Sequence, residues 1–190
     1  YNTFLLRGVT GSGKTEVYMQ VAAAALKSKR TVLVLVPEIA LITQMEKRFR
    51  ARFGECVAVL HSALSAGERY DQWCRIIQGQ ATIAIGARSA IFAPFHNIGV
   101  IIVDEEHDAS YKQEGSLRYN ARDLAAVRAK QNECVALLGS ATPSLQSYYN
   151  AAIRKFTELR LEKRVEQRPL PDIRIVDLRQ SRDMRGIRRF

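Results

Sequence analysis

Six short apolar runs, interleaved with five stretches of helical spacing, set what this 190-residue chain can fold into. The runs are residues 3–7, 31–36, 56–60, 81–85, 98–103 and 134–138. Residues 31–36 (TVLVLV) are continuous and mostly β-branched, the pattern of a strand buried on both faces. The helical stretches are residues 14–29, 38–53, 66–78, 121–131 and 144–155. Alternating β and α units predict an α/β fold, a mainly parallel sheet with helices on both faces. Such sheets bind ligands beyond the carboxyl ends of their strands, so the loops after the strands are where function is expected. Two segments break the alternation: residues 86–97 (GARSAIFAPFHN) and the polar residues 108–120 (DASYKQEGSLRYN). Residues 156–161 are expected to form a further strand and 173–178 to begin another. There is no internal repeat.

The loop after the first run is Gly8, Val9, Thr10, Gly11, Ser12, Gly13, Lys14 and Thr15, which matches G-x-x-x-x-G-K-[ST] at every fixed position. It follows a strand and opens a helix, as its chemistry requires. The glycines let backbone N–H groups turn inward, and the positive end of the helix adds to the attraction for phosphate. Lys14 can reach β and γ phosphates, and the Thr15 hydroxyl can bind Mg²⁺. The fifth run ends in Asp104, Glu105, Glu106 and His107. Asp104 is expected in the metal's shell and Glu105 to orient an attacking water. A solvated acidic turn is the competing reading.

Composition narrows the class. At 47% hydrophobic and 25% charged the chain is an ordinary globular domain, or one and a short tail, and disorder as its main state is excluded. No run approaches 18 apolar residues, so no membrane span is expected. The first residues are too short and unflanked for a signal peptide, and without an initiator Met the chain is expected to be a piece of something longer. The net charge of +10 is uneven: residues 151–190 carry 12 basic against 6 acidic residues. Such an excess favours polyanions. Cys56, Cys74 and Cys134 form no C-x-x-C pair and are expected to be buried free thiols; no zinc site can be built from their spacing. His61 and His96 are expected to be structural, and Trp73 to be a helix core residue.

The DEEH run resembles the DEAH box of superfamily 2 helicases, with Glu106 in place of Ala. In that family the His joins the nucleotide site to a Ser-Ala-Thr motif, here Ser140, Ala141 and Thr142, directly after the sixth run. The match is closer still to the primosomal protein N′ family of replication-restart DNA helicases. It is carried by GVTGSGKTEVY, VPEIAL (36–41), His61-Ser62, GARSAIF (86–92), DEEHDASYK (104–112) and GSATPS (139–144), over about residues 1–178.

The resemblance implies a RecA-like P-loop NTPase domain. It would be the first of two lobes of an ATP-driven 3′-to-5′ helicase acting at stalled forks in the bacterial cytoplasm and nucleoid, with ATP and Mg²⁺ as cofactors. Single-stranded and forked DNA and the primosome's restart proteins are the implied partners. Residues 1–165 would be the lobe and 166–190 a linker or the truncated start of the next. Lys14, Asp104 and Glu105 would be catalytic; His107, Ser140 and Thr142 would couple motifs. Pro37, Glu38, Arg88, Ser89, Tyr111, Lys112, Arg118 and Tyr119 would face DNA, with Arg122 also on its backbone and the tyrosines stacking on bases. A surface ion pair is the competing reading for Arg88, and core packing for the tyrosines. Ala87 and Ile42 stand where the family usually has Thr, which removes two hydroxyls from that face. The second lobe, whose arginines complete the ATP site, and the zinc-binding cysteine cluster are absent here, and Arg182, Arg185, Arg188 and Arg189 carry no assigned role. The fragment alone is expected to turn over little or no ATP. Another superfamily 2 translocase, or a nucleotide-gated DNA-binding module without turnover, are the alternatives.

Overall fold

The computed structural model describes residues 1–115 and 117–165 of the chain. The strand expected at 173–178, the linker assigned to 166–190 and the arginines near its end lie outside the described residues.

Seven strands form one sheet: β1 (Asn2–Gly8), β2 (Thr31–Leu35), β3 (Val57–Leu60), β4 (Ile83–Gly86), β5 (Ile98–Val103), β8 (Val135–Ser140) and β9 (Thr157–Leu161). Their order is β3-β4-β2-β5-β8-β1-β9, and every neighbouring pair is parallel. Five helices connect them: α1 (Lys14–Lys27), α2 (Ile39–Phe53), α3 (Ala66–Ile77), α4 (Ala121–Gln131) and α5 (Leu145–Ala152). The polar segment before α4 holds a single 3₁₀ turn at Ala109–Tyr111 and a small antiparallel hairpin, β6 (Lys112–Gln113) with β7 (Tyr119–Asn120).

Strand alternation divides the core into two layers. Val32, Val34, Ile83, Ile85, Val100 and Ile102 face Tyr18 and Ala22 of α1 and Ile42, Met45 and Phe49 of α2. Leu33, Leu35, Ala84, Ile101 and Val103 face the other way, onto Ile76 of α3 and Ala121, Ala125 and Ala129 of α4. Each fully buried Leu, Ile or Phe contributes about 1.5–3 kcal/mol of burial free energy. The three alanines at intervals of four let α4 sit close on the sheet.

Two expectations are corrected. Trp73 is not a core residue: it is 36% exposed and lines a surface cleft with His61, Ser62, Arg69 and Ser89, at loops that leave β3 and β4. Of the thiols only Cys134 is buried; Cys56 and Cys74 are half-buried.

Sheet order brings distant loops together. β1, β8 and β5 are successive neighbours running the same way, so the loops leaving them lie side by side at one edge.

Candidate functional site

The loop from β1 into α1 turns through left-handed backbone at Gly11 (φ 80°) and Gly13 (φ 92°). Gly13 stands at the N-cap of α1, where no side chain caps the helix. Helices α3, α4 and α5 differ: Ser65, Asn120 and Ser144 accept from their first turns. The first N–H groups of α1 are therefore left for an anion, which the helix dipole favours. Ser12 Oγ is buried in the same loop with no partner among the described residues. Lys14 lies under the loop, 9% exposed, and its Nζ donates to Gly8 O at 2.9 Å. Thr15 Oγ1 accepts from Arg48 Nη1 at 3.3 Å. After β9 the chain passes the loop again, where Val165 N–H donates to Gly11 O.

One strand away across β8, β5 ends in the acidic run. Lys14 Nζ stands 3.8 Å from Glu105 Oε1, so the two motifs that lie about ninety residues apart in sequence meet. Asp104 is held by two buried tyrosines. Tyr18 of α1 donates its hydroxyl to Asp104 Oδ1 at 2.9 Å, and Tyr111 donates to Asp104 O at 2.6 Å. Burial pushes the Asp104 carboxyl above its ordinary range; the Tyr18 hydroxyl pulls it back, neighbouring Glu105 adds to the rise, and Lys14 opposes it. Both tyrosines are pushed well up, by burial first and by Asp104 second, and so remain donors. Tyr18 also fixes its neighbour in β8. A side chain at Gly139 would run into the Tyr18 ring and hydroxyl, so the strand must carry glycine there.

Glu105 takes left-handed backbone (φ 43°), which costs a non-glycine residue about 1–2 kcal/mol. That turn aims its carboxylate between Lys14 and His107, whose Nδ1 lies 3.6 Å from Oε2. His107 Nδ1 bonds Ser140 Oγ at 2.8 Å, and Ser140 Oγ accepts from Thr142 N–H at 3.0 Å. Thr142 Oγ1 is 3.5 Å from His107 Nε2. His107, Ser140 and Thr142 thus form one cluster between the ends of β5 and β8.

The residues expected to face a nucleic acid divide. Pro37, Arg88, Ser89 and Tyr119 line a groove of about 500 Å³, and exposed Glu38 stands at the N-cap of α2 beside it, with no side-chain cap. A second groove of about 650 Å³, holding Lys112 and Arg118, continues from it through Gln113 and Tyr119. Tyr119 is half-buried and packs edge-on against Phe92, centroids 5.2 Å apart. Lys112 pairs with Glu114 at 2.7 Å, and Arg118 is exposed. Arg88 is in no ion pair among the described residues; its Nη1 donates to Ser110 O at 3.0 Å and Lys112 O at 2.7 Å, tying down the hairpin's first strand.

Two residues do not fit that role. Tyr111 is 1% exposed with its hydroxyl engaged, so it cannot stack on a base: the polar residues around it hid a core position. Arg122 is 9% exposed and turned inward onto Glu106, Ser144 and Gln146, so it cannot meet a phosphate backbone. Sequence reasoning missed Tyr18 and Glu106. The signal for Tyr18 lay one helical turn beyond Lys14, on the same face of α1; for Glu106 it was a carboxylate in a run whose metal and water duties were already filled.

The family model for DEAD/DEAH box helicase matches residues 2–151. Among curated proteins, Replication restart protein PriA of Bacillus subtilis (strain 168) is 51% identical over 181 residues, which cover 95% of this chain and 22% of that protein. Its namesake from Synechocystis sp. is 52% identical over 186 residues (94% and 22%), and that from Haemophilus influenzae 48% over 187 (98% and 26%). The chain spans about a quarter of the length of these relatives. The helicase domain of Pyrococcus furiosus Hef superposes with a TM-score of 0.64 at 21% identity, over 87% of this chain and 36% of that one. RecG bound to a three-way DNA junction gives 0.59 at 24%, over 83% and 20%. Both likenesses are of fold.

Proposed function

Because this chain belongs to the DEAD/DEAH box helicase family, we propose that residues 1–165 are the ATP-binding lobe of a 3′-to-5′ DNA helicase that unwinds forked DNA in replication restart, and that 166–190 lead toward a second lobe. The observation that carries the reading is the 3.8 Å approach of Lys14 to Glu105 at the mouth of three parallel strands. A cation from a phosphate-binding loop and a carboxylate free to orient water are what γ-phosphate transfer to water needs at one place.

In this reading the backbone of Gly8, Val9, Thr10, Gly11, Ser12, Gly13, Lys14 and Thr15 cradles the triphosphate, with Lys14 on its terminal oxygens. Ser12 Oγ, which has no partner among the described residues, and the uncapped start of α1 fit such an anion. Glu105 orients the attacking water, and His107, Ser140 and Thr142 tie that acid to the end of β8. Thr15 and Asp104 would hold Mg²⁺: a hydroxyl and a half-buried carboxylate are the hard oxygen donors that ion selects, and a cation would relieve the penalty that burial puts on ionised Asp104. When bound, the ion would neutralise charge gathering on the phosphate oxygens. Pro37, Glu38, Arg88 and Ser89, with Lys112, Arg118 and Tyr119 of the hairpin, border the single strand. Zinc, the restart proteins of the primosome and a nucleoid location belong to the rest of the protein in this proposal.

ATP hydrolysis by the longer protein that contains this chain, with and without single-stranded DNA or RNA, tests the reading. Stimulation by DNA, and strand separation of a forked duplex, are expected. Preferential stimulation by RNA would instead favour another translocase, and nucleotide binding without turnover a gated binding module.

A further inference from the structure

Glu106 is the most buried carboxylate in the described chain, and neither phosphate, metal nor water chemistry calls on it. Its side chain has no exposure and lies against the first turn of α5. Oε1 accepts from Ser144 N–H at 2.7 Å; Oε2 accepts from Ser147 Oγ at 2.7 Å and from Ser144 Oγ at 3.1 Å. Arg122 closes the cluster, its Nη1 at 3.5 Å from Glu106 Oε2 and 2.9 Å from Ser144 Oγ, and its Nη2 at 2.7 Å from Gln146 Oε1. An apolar pair would fill this space at a smaller desolvation cost. What the polar cluster adds is a single arrangement in which all partners are satisfied at once.

The cluster's place gives that arrangement a use. Arg122 is the second residue of α4, and α4 grows directly out of β7 with Asn120 as its cap. The hairpin therefore stands on two feet. At one, Tyr111, adjoining β6, holds the carbonyl of Asp104. At the other, Arg122, just past β7, holds Glu106. Between the two held residues lies Glu105, in its left-handed turn.

We propose that Arg122 and Glu106 are a pair of positioning residues that set the aim of Glu105 according to how the β6–β7 hairpin is seated. This deepens the reading of the site given above and rests on it. A strand bound along the hairpin shifts β7, β7 carries the start of α4, and the Arg122 fork moves or frees Glu106, whose neighbour orients the water. Neither residue touches DNA or nucleotide.

The test uses the full-length protein and the variants Arg122→Gln, Glu106→Gln, their combination, and Arg122→Lys. Lysine keeps the charge and loses the fork that spans Glu106 and Gln146. Three quantities are read: the ratio of hydrolysis at saturating single-stranded DNA to hydrolysis without DNA, the Kd for that DNA, and thermal unfolding. Each Gln variant is expected to lower the stimulation ratio by about 3- to 30-fold, the range over which coupling networks respond to single changes, with Kd within about twofold of the parent's. The double variant should lose no more than either single one, as members of one unit do. Should a Gln variant unfold, Arg122→Lys decides: it is expected to melt with the parent and still to lose stimulation. An unchanged ratio in folded variants, losses that multiply in the double, or a loss of DNA affinity that accounts for the fallen ratio would each overturn the pair's role. A parent protein with no DNA stimulation would sink the functional reading itself, and this inference with it.

Discussion

Asp104 directly follows β5, half-buried, with hydroxyls on both its side chain and its backbone. Burial, the largest influence, raises its folded-state pKa above the ordinary value near 3.8. As pH rises from there the unfolded chain ionises first, so stability falls across the window up to the folded pKa and the full penalty persists above it. Asp104→Asn keeps an acceptor for Tyr18 and removes the charge. Without Mg²⁺ it should raise the unfolding temperature at pH 7, by an amount that vanishes below about pH 3.8, while hydrolysis is lost. An equal gain at pH 3 and pH 7 would rule out ionisation as the cause. Tyr18→Phe acts in the opposite sense on the same group. It deletes a bond that favours the carboxylate, so the acid limb of the hydrolysis profile should move to higher pH. A limb that stays in place would show that another group sets it.

The turn at residues 8–15 was legible because it is local: neighbours in sequence build one loop between β1 and α1. Tyr18 and Glu106 were not, because each works on a partner brought by the fold, Asp104 from 86 positions away and Ser147 from 41. Tyr111 was misread for the same reason, its polar neighbours in sequence being no guide to the sheet that covers it.

At the scale of elements, two serines in the same cap position make a comparison. Ser65 caps α3 through a reciprocal box with Glu68, at 3.2 and 2.8 Å, on the exposed side of the fold. Ser144 caps α5 by accepting from Ser147 N–H, with no reciprocal box, and also meets Glu106 and Arg122. Ser65→Ala should cost about 1 kcal/mol, an ordinary cap. Ser144→Ala should cost that and a further ~1–3 kcal/mol, because it leaves two buried charged groups short of a partner. Denaturant midpoints at a common m-value measure the difference, and equal costs would mean that the cluster contributes no stability of its own. Elements with a clear pattern, such as the continuous apolar runs of β2 and β5 and the helical spacing of α4, stood where their sequence put them. Strand order could not be read from the sequence, since nothing in the β9 run says that it pairs with β1 rather than ending the chain's structure. Two-residue strands carry no period, so the β6–β7 hairpin was invisible inside a polar segment. Trp73 sat on a helical stripe in the sequence, yet its turn of α3 faces a cleft where β3 and β4 have already given way to loops.

Across the whole molecule the sheet's carboxyl edge carries both halves of the proposed activity, the triphosphate cradle at β1 and the grooves beside β2, β4 and the hairpin. Charge there is less available than the composition suggests. The chain's net charge is +10, but Arg122 is buried, Arg88 is spent on two carbonyls and Lys112 on Glu114. Arg118 remains exposed and Tyr119 presents a ring edge-packed on Phe92. The two should leave different marks on binding. Each phosphate contact to a single strand adds about 0.7 to the slope of log K against log salt. Arg118→Ala in the full-length protein should therefore flatten that slope by about 0.7 and weaken all sequences alike. Tyr119→Ala should leave the slope alone and cost about 1–3 kcal/mol if a base stacks on it. Glu114→Gln releases Lys112 and should steepen the slope where Arg118→Ala flattens it. Opposite shifts from these two neighbours, read on one oligonucleotide, are what a strand lying along the hairpin demands; slopes indifferent to both would place its path elsewhere on the lobe.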